Sequence, residues 1–134
     1  MKSIFELVSK HVEPSIKRSI VESLVKRGMP RTMISKCLGI STSLITRYLR
    51  KERGLHDFTN IADLASKIEE LADRIVNNRL CKEYFYYELI KLTIYALSKK
   101  YVCEIHYSID KSINPAKCHI CPEIFKNTIS YNLF

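Results

Sequence analysis

The sequence lacks any long hydrophobic run. No apolar stretch approaches the roughly 20 residues that a helix needs to cross a bilayer, and the N-terminal residues MKSIFELVSKHVEPS have no signal-peptide pattern. We therefore expect a cytoplasmic protein without membrane association. Because the cytoplasm is reducing, the five cysteines favour metal ligation over disulfide bonds.

The usual signatures of an enzyme are also missing. The sequence has no glycine-rich phosphate loop, no carboxylate pair and no recognisable substrate pocket. One enzymatic alternative remains, in which Cys103 or Cys118 acts as a nucleophile beside His106. We predict a non-enzymatic protein. Glycine and proline number only three and four beside abundant isoleucine, lysine and tyrosine, a composition that favours a thermophilic source.

Acidic side chains are absent from Gly28 to Lys51. Residues 1–57 carry twelve Lys and Arg against five Asp and Glu, a net charge of +7, whereas residues 58–134 carry ten against nine, a net charge of +1. Local positive potential drives binding to DNA phosphates, because neutralising them releases counterions. The uneven charge therefore favours nucleic-acid binding over a merely solubilising role.

Residues 31–50 within this basic region have the pattern of a helix-turn-helix. Gly39 suits the turn, since such turns often need a residue that tolerates positive φ, and Ser35 is small where the two helices approach. The apolar positions around the turn are Ile34, Leu38, Ile40, Ile45 and Leu49. We predict a preceding helix from about residue 14 to 27, a positioning helix over 30–38 and a recognition helix over 42–50. Tyr48 and Cys37 are expected in the core, Cys37 as a small hydrophobe.

The outer face of the second helix combines short hydroxyls with arginines, which suits the major groove. Arginine can bind guanine through two hydrogen bonds, and lysine or arginine just beyond the helix suits phosphate contacts. The predicted DNA-binding residues are Arg31, Ser41, Thr42, Ser43, Thr46, Arg47, Arg50, Lys51 and Arg53. The alternative is an ordinary helical hairpin with a basic face.

Two further helical patterns follow a short joint at 54–59. The first, from residue 60, places apolar residues at alternating steps of three and four: Ile61, Leu64, Ile68, Leu71 and Ile75. This narrow seam needs a partner, either the next helix or a second copy, and we expect it to contribute to a homodimer interface. The second opens with an aromatic cluster, residues 84–87, for which core packing is favoured over base stacking.

The C-terminal region contains metal-ligand spacing. Cys103 and His106 form C-x2-H, and eleven residues later Cys118 and Cys121 form C-x2-C. Four such ligands in two pairs predict a tetrahedral zinc site. Cys81 is a possible extra ligand, and with it an iron-sulfur cluster becomes the alternative cofactor. His119 is expected to face solvent. The tail is expected to dock on the C-terminal half or on a partner through its apolar residues Ile124, Phe125, Ile129, Leu133 and Phe134.

Together these residues resemble a family of archaeal transcriptional regulators with a phage-repressor-like helix-turn-helix. The segment LVKRGMPRTMISKCLGISTSLITRYLRKERG, the amphipathic helix and the terminal cysteine-rich motif carry the resemblance, over about residues 12–121. The resemblance implies a DNA-binding regulator. In the family the Cys81 region reads C-x2-C, and here Tyr84 stands at the second position, which argues against a further thiol ligand.

We therefore predict a mainly α protein with three regions. These are a helix-turn-helix DNA-binding domain over 1–57, a helical dimerisation or linking region over 58–101, and a Cys/His knuckle with an apolar tail over 102–134. The predicted function is that of a homodimeric, zinc-containing transcriptional regulator that binds double-stranded DNA. The alternatives are an iron-sulfur redox- or iron-sensing regulator and a zinc-stabilised protein-interaction module.

Overall fold

The computed structural model describes residues 3–130, the side chains of 127–130 excepted, and this part of the chain is helical with no strand. The mainly α prediction is confirmed. The helices are α1 (Ile4–Leu7), α2 (Glu13–Lys26), α3 (Arg31–Leu38), α4 (Thr42–Leu49), α5 (Ala62–Asn78), α6 (Glu83–Ser98), α7 (Cys103–Ile109) and α8 (Ile120–Ser130). A π-helical turn, Val8–Val12, joins α1 to α2.

No helix within residues 3–130 has both the length and the apolar character that crossing a bilayer requires.

Local signals set the bounds of the first helices. Gly28 follows α2 with φ of +85°, Pro30 precedes α3 in an extended conformation, and Gly39 ends α3 in the left-handed region with φ of +69°. Positive φ is available to glycine without steric cost, so Gly39 permits the sharp turn into the next helix. Ser41 then caps α4 by accepting a hydrogen bond from the Leu44 N–H.

Helices α2, α3 and α4 pack on one another around a shared apolar core. Ile20 and Leu24 of α2, Ile34 of α3 and Ile45 of α4 are fully buried, and Tyr48 is 2% exposed. The prediction that Tyr48 belongs to the core is confirmed. The helix bounds predicted for this part of the chain agree with those observed to within about one residue.

The apolar seam of α5 is buried within the chain. Leu64, Ile68, Leu71 and Ile75 are at most 3% exposed, because α5 packs against α2 and α6. Arg27 of α2 also forms ion pairs with α5, at 3.0 Å to Glu69 and 2.9 Å to Asp73. The expectation that this seam contributes to a homodimer interface is therefore wrong, since helices of the same chain already cover it.

Ile68→Ala is expected to lower the free energy of unfolding by about 2–5 kcal/mol, because it leaves a cavity in the core. Urea unfolding at several protein concentrations measures this. Because the seam is buried within one chain, it should not make the unfolding midpoint of the wild type depend on protein concentration. Glu70→Ala on the exposed side of α5 is the matched control, with a change within about 0.5 kcal/mol. If Ile68→Ala lowered the free energy of unfolding only slightly, the seam would not be packed within the chain, and contact between copies would again explain it.

A carboxylate links α5 to α6. Asp63 accepts hydrogen bonds from the hydroxyl of Tyr95 and, at 2.9 Å, from that of Tyr101. These two hydrogen bonds lower the pKa of Asp63, and the bond from Tyr95 has the larger effect. Burial and then the bond to Asp63 raise the pKa of Tyr95 to about 12.

Tyr95→Phe is expected to lower the free energy of unfolding by about 1–2 kcal/mol at neutral pH, because it removes a hydrogen bond to a charged group. The lowered Asp63 pKa stabilises the fold above the unfolded carboxyl pKa, and this contribution is lost as pH falls through the folded pKa. The raised pKa of Tyr95 stabilises the folded state below about pH 10, the pKa of tyrosine in the unfolded chain. This contribution is lost as pH rises to about 12.

Denaturant unfolding of wild type and Tyr95→Phe across pH checks this, with Tyr86→Phe at an exposed site as control. The difference between wild type and Tyr95→Phe should shrink toward both pH extremes. A difference that stays constant with pH would exclude the hydrogen bond as its source.

The aromatic cluster at the start of α6 is split between core and surface. Phe85 is 2% exposed, whereas Tyr84, Tyr86 and Tyr87 are 62%, 57% and 54% exposed. The expectation of core packing is correct for Phe85 and wrong for the three tyrosines. Consecutive residues of a helix point in directions about 100° apart, so the four consecutive aromatic side chains of residues 84–87 cannot all face the core.

The joint between α4 and α5 is fastened to α2. Gly54 is buried with φ of +67°, and a Cβ atom there would lie 2.6 Å from the carbonyl oxygen of Pro14. The His56 N–H donates to the Ser15 hydroxyl at 3.2 Å, and Phe58 is 2% exposed. The segment is therefore packed, although its sequence carries little structural signal.

A disulfide bond joins Cys37 of α3 to Cys81 in the loop between α5 and α6. The Lys82 N–H also donates to the Cys37 carbonyl at 2.8 Å, and Arg79 and Lys82 on either side of Cys81 have positive φ. Cys37 lies in the core at 4% exposed, as predicted. The expectation that the cysteines favour metal ligation over disulfide bonds is wrong for this pair, and the possible role of Cys81 as an extra metal ligand is excluded with it. This turn carries Cys81 onto α3, and a sulfur in a disulfide is not a thiolate ligand.

Helix α8 packs along α6 and completes the C-terminal region. Phe125 is partly buried against the core, whereas Ile124 is 62% exposed. The docking predicted for the tail is therefore found for Phe125 and not for Ile124. The Ile129 side chain, Leu133 and Phe134 lie outside the described residues.

Candidate functional site

Helix α4 presents a polar and basic surface to solvent. Ser43, Thr46, Arg47 and Arg50 follow the spacing i, i+3, i+4, i+7 and so lie on one side of the helix. Ser43, Arg47 and Arg50 are exposed, and Thr46 is half-buried. The opposite side carries Ile45 and Tyr48 into the core, which fixes the direction of the exposed side.

The first residue of α3 belongs to the same surface. The Arg31 guanidinium donates a hydrogen bond to the Thr46 hydroxyl at 3.2 Å. Within residues 3–130, none of the ion pairs involves Arg31, Arg47 or Arg50. These three guanidinium groups are therefore available to an external anion.

The amino end of α4 adds hydroxyl groups and unpaired backbone donors. Ser41, Thr42 and Ser43 are exposed there, and the Ser41 hydroxyl lies 3.2 Å from that of Ser43. A helix N-terminus carries partial positive charge and N–H groups that suit a phosphate oxygen. This end of α4 thus has the chemistry for a phosphate contact.

Lys51 and Arg53 continue the basic surface beyond α4. Both are exposed, and the Lys51 N–H donates to the Tyr48 carbonyl at 3.0 Å in the turn that ends the helix. Burial raises the pKa of Tyr48, and the nearby Arg53 partly offsets this. The nine residues predicted to bind DNA therefore lie on α3, α4 and the turn that follows.

Ser35 has a role that the sequence interpretation missed. Its hydroxyl donates to the Ile40 carbonyl at 2.6 Å, while its own carbonyl accepts the N–H groups of Gly39 and Ile40. Ser35 therefore holds the turn between α3 and α4, and its small size is only part of the reason for its presence. A serine four residues before a turn glycine was the available signal.

The four predicted metal ligands line a single cavity of about 250 Å³, and none of its lining residues belongs to α3 or α4. Cys103 and His106 lie on α7, Cys121 lies in the first turn of α8, and Cys118 lies just before α8. The expectation of short knuckle loops is wrong in this respect, because both pairs lie on helices or directly beside them. His119 is exposed and does not line the cavity.

The cavity surrounds its polar groups with apolar side chains. Burial raises the pKa of the Cys103 and Cys121 thiols, and the neighbouring Cys118 raises both further. The Nε2 atom of His106 is buried without a hydrogen-bond partner. Among the residues that the structure describes, no three side chains of His, Cys, Asp or Glu are already arranged to hold a metal ion.

No protein-family model, curated protein or solved structure matches this chain. What the protein does has to be inferred from its own residues and their placement.

Proposed function

We propose that this protein is a cytoplasmic transcriptional regulator that binds specific sequences of double-stranded DNA. In this proposal α3 and α4 act as a helix-turn-helix, with α4 in the major groove. The observation that carries it is the exposed side of α4, which presents hydroxyls and arginines and itself contains no acidic residue. The net charge of +7 in residues 1–57 supports the same function.

The dimensions of α4 suit this role. An α-helix with its side chains is about 10–12 Å in diameter, and the major groove of B-DNA is about 12 Å wide. Arg47 and Arg50 reach base edges from the exposed side, and their guanidinium groups suit guanine. The amino end of α4, with Lys51 and Arg53, contacts phosphates and sets the register.

Arg31 positions this surface in the proposal. Its bond to Thr46 ties the start of α3 to the middle of α4, and the remaining guanidinium N–H groups are left for a phosphate. Ser35 contributes indirectly by holding the turn. The angle between α3 and α4 is therefore fixed before DNA arrives, which lowers the entropic cost of binding.

The proposal includes two copies of the chain on one operator, as is common for helix-turn-helix proteins. Because the α5 seam is buried, contact between copies has to use another surface. Sedimentation of the free protein and of its complex with DNA would give the number of chains in each.

Selection from a random DNA library, followed by binding measurements from low to high salt, tests the proposal. One consensus sequence should be enriched, and the logarithm of the binding constant should fall linearly with the logarithm of salt concentration. Each neutralised phosphate contributes about −0.9 to this slope. Failure to enrich a sequence, or affinity that is flat with salt, would overturn DNA binding.

A protein-interaction module is the second candidate, favoured by the exposed side chains of α6. Tyr84, Tyr86, Tyr87 and Ile90 are 45–62% exposed, and tyrosine is enriched in protein interfaces. In this candidate α3 and α4 are only scaffold. The library selection separates the two, since a scaffold enriches no DNA sequence.

A further inference from the structure

We propose that Cys103, His106, Cys118 and Cys121 bind one structural zinc ion, with His106 ligating through Nε2. The site fastens α7 to the start of α8. It lies apart from the α3–α4 surface, so the zinc proposal holds or fails independently of DNA binding.

The composition of the cavity is the first argument. Apart from Ser3, whose hydroxyl accepts the N–H of Phe5, the polar side chains at its wall are the four proposed ligands. The rest of the wall is apolar: Ile4, Leu97, Val102, Ile113, Ile120 and Pro122. Three thiols and an imidazole therefore line one otherwise apolar cavity, and together they are a donor set that a structural zinc ion binds.

The buried nitrogen of His106 is the second and independent argument. Nε2 has no hydrogen-bond partner within the described structure, although the backbone N–H of His106 is bonded to the Val102 carbonyl. His106 lines the same cavity as the three thiols, and an imidazole nitrogen is a typical zinc donor. An ion in the cavity would satisfy Nε2 and remove the cost of leaving it unpaired.

Backbone structure presents the two pairs toward one another. Cys103 and His106 are three residues apart on α7 and so share a side of the helix. Cys118 is held by its N–H bond to the Asn114 carbonyl at 2.8 Å, and the Asn114 side chain accepts the Ala116 N–H at 3.1 Å. The turn at 114–118 therefore places Cys118 beside Cys121 without help from a metal.

The donor set selects zinc over an iron-sulfur cluster. The free cysteines of the described chain are Cys103, Cys118 and Cys121, because Cys37 and Cys81 are in the disulfide. A four-cysteine cluster therefore lacks its fourth thiolate. Three thiolates and one imidazole match the Cys3His sets of structural zinc sites, which leave no open position for catalysis.

The ion also substitutes for a core that this region lacks. Between α7 and α8, the ten residues 110–119 bury only Ile113, so few apolar contacts order the segment. Zinc bound to ligands on both sides would join the ends of this loop in the folded protein, and its binding free energy would add to the free energy of folding. Ile4 of α1 lines the same cavity, so the ion would also order the start of the chain.

The test is a titration of the metal-free full-length protein with cobalt(II), followed by displacement with zinc. We expect one equivalent of cobalt to produce the intense visible bands of tetrahedral coordination with a thiolate-to-cobalt charge-transfer band, and one equivalent of zinc to abolish them. His106→Gln should weaken metal affinity by 10-fold or more, whereas His119→Gln should leave it unchanged. Loss in His119→Gln with none in His106→Gln would overturn the ligand assignment.

Alkylation followed by mass spectrometry provides a readout on the wild type that needs no variant. With zinc, Cys103, Cys118 and Cys121 should be protected together, and a chelator should expose all three. Equal alkylation with and without zinc, or the absence of tetrahedral cobalt bands, would overturn the site. Iron with sulfide in protein purified without oxygen would overturn the choice of zinc.

Discussion

Replacing Arg47 and Arg50 together by alanine is expected to lower affinity for the selected DNA by about 30-fold or more, because each arginine contact contributes about 1–3 kcal/mol. Both side chains are exposed, so the free energy of unfolding should change by less than about 0.5 kcal/mol. Fluorescence anisotropy with labelled operator measures the affinity, and urea unfolding measures the stability. Loss of affinity with intact stability places both arginines at the DNA.

The single variants separate base contacts from phosphate contacts. If an arginine binds a base edge, its replacement by alanine should weaken the preference for one base at a single operator position. One that binds a phosphate should weaken all sequences alike and reduce the salt slope by about 1. The matched control is Lys111→Ala with Lys117→Ala, which removes two positive charges from exposed positions outside α3 and α4. An equal loss in this control would show that only total charge matters.

Breaking the disulfide between Cys37 and Cys81 is expected to cost about 2–4 kcal/mol of unfolding free energy. The cysteines are 44 residues apart, and the chain-entropy relation for a closed loop of that length gives about 4 kcal/mol. Urea unfolding of the wild type with and without reductant measures the loss. The Cys37→Ser, Cys81→Ser double variant should be less stable than the oxidised wild type and insensitive to reductant.

The controls for this prediction are a thiol count and a substitution elsewhere. Unfolded under non-reducing conditions, the protein should offer three alkylatable thiols, and five after reduction. Cys118→Ser should leave the sensitivity of stability to reductant unchanged. Five thiols before reduction, or identical unfolding with and without reductant, would contradict a disulfide in the protein.

The part of the fold that sequence predicts best is α2 to α4. Pro30, Gly39 and Ser41 act within a few residues of where they stand, as helix start, helix end and helix cap. Such local signals do not depend on the rest of the chain. The spacing of the arginines likewise places them on the side of α4 opposite Tyr48, and the structure has them there.

The features that sequence does not predict are those that depend on distant parts of the chain. Nothing near Cys37 indicates that a turn with left-handed Arg79 will bring Cys81 to it. The α5 seam shows that one side of the helix is buried, but a periodic pattern does not identify the partner. Intracellular disulfides are common in hyperthermophilic archaea. The thermophile-like composition therefore pointed toward a disulfide, but the argument from a reducing cytoplasm was given more weight.

The proposed metal ligands lie between these two cases. Their spacing in sequence identified Cys103, His106, Cys118 and Cys121 as a set, and the structure brings all four to one cavity. The unpaired Nε2 of His106 and the exclusion of Cys81 appear only in three dimensions. The spacing within each pair of ligands can be read from a few neighbouring residues of the sequence. The distance in space between the two pairs depends on how α7 and α8 pack, which the sequence does not show.

Under the proposed function, the packed joint at Gly54 limits which operators the protein can accept. Gly54 and His56 hold the segment after α4 against α2, so α4 has no hinge behind it. In the proposed complex, a fixed contact between two such chains would hold their α4 helices at one separation and one rotation. Inserting a single base pair between half-sites moves them apart by about 3.4 Å and turns them by about 34–36°. A rigid pair cannot follow that rotation, and so the operator spacer should be invariant in length even where its bases are free to vary.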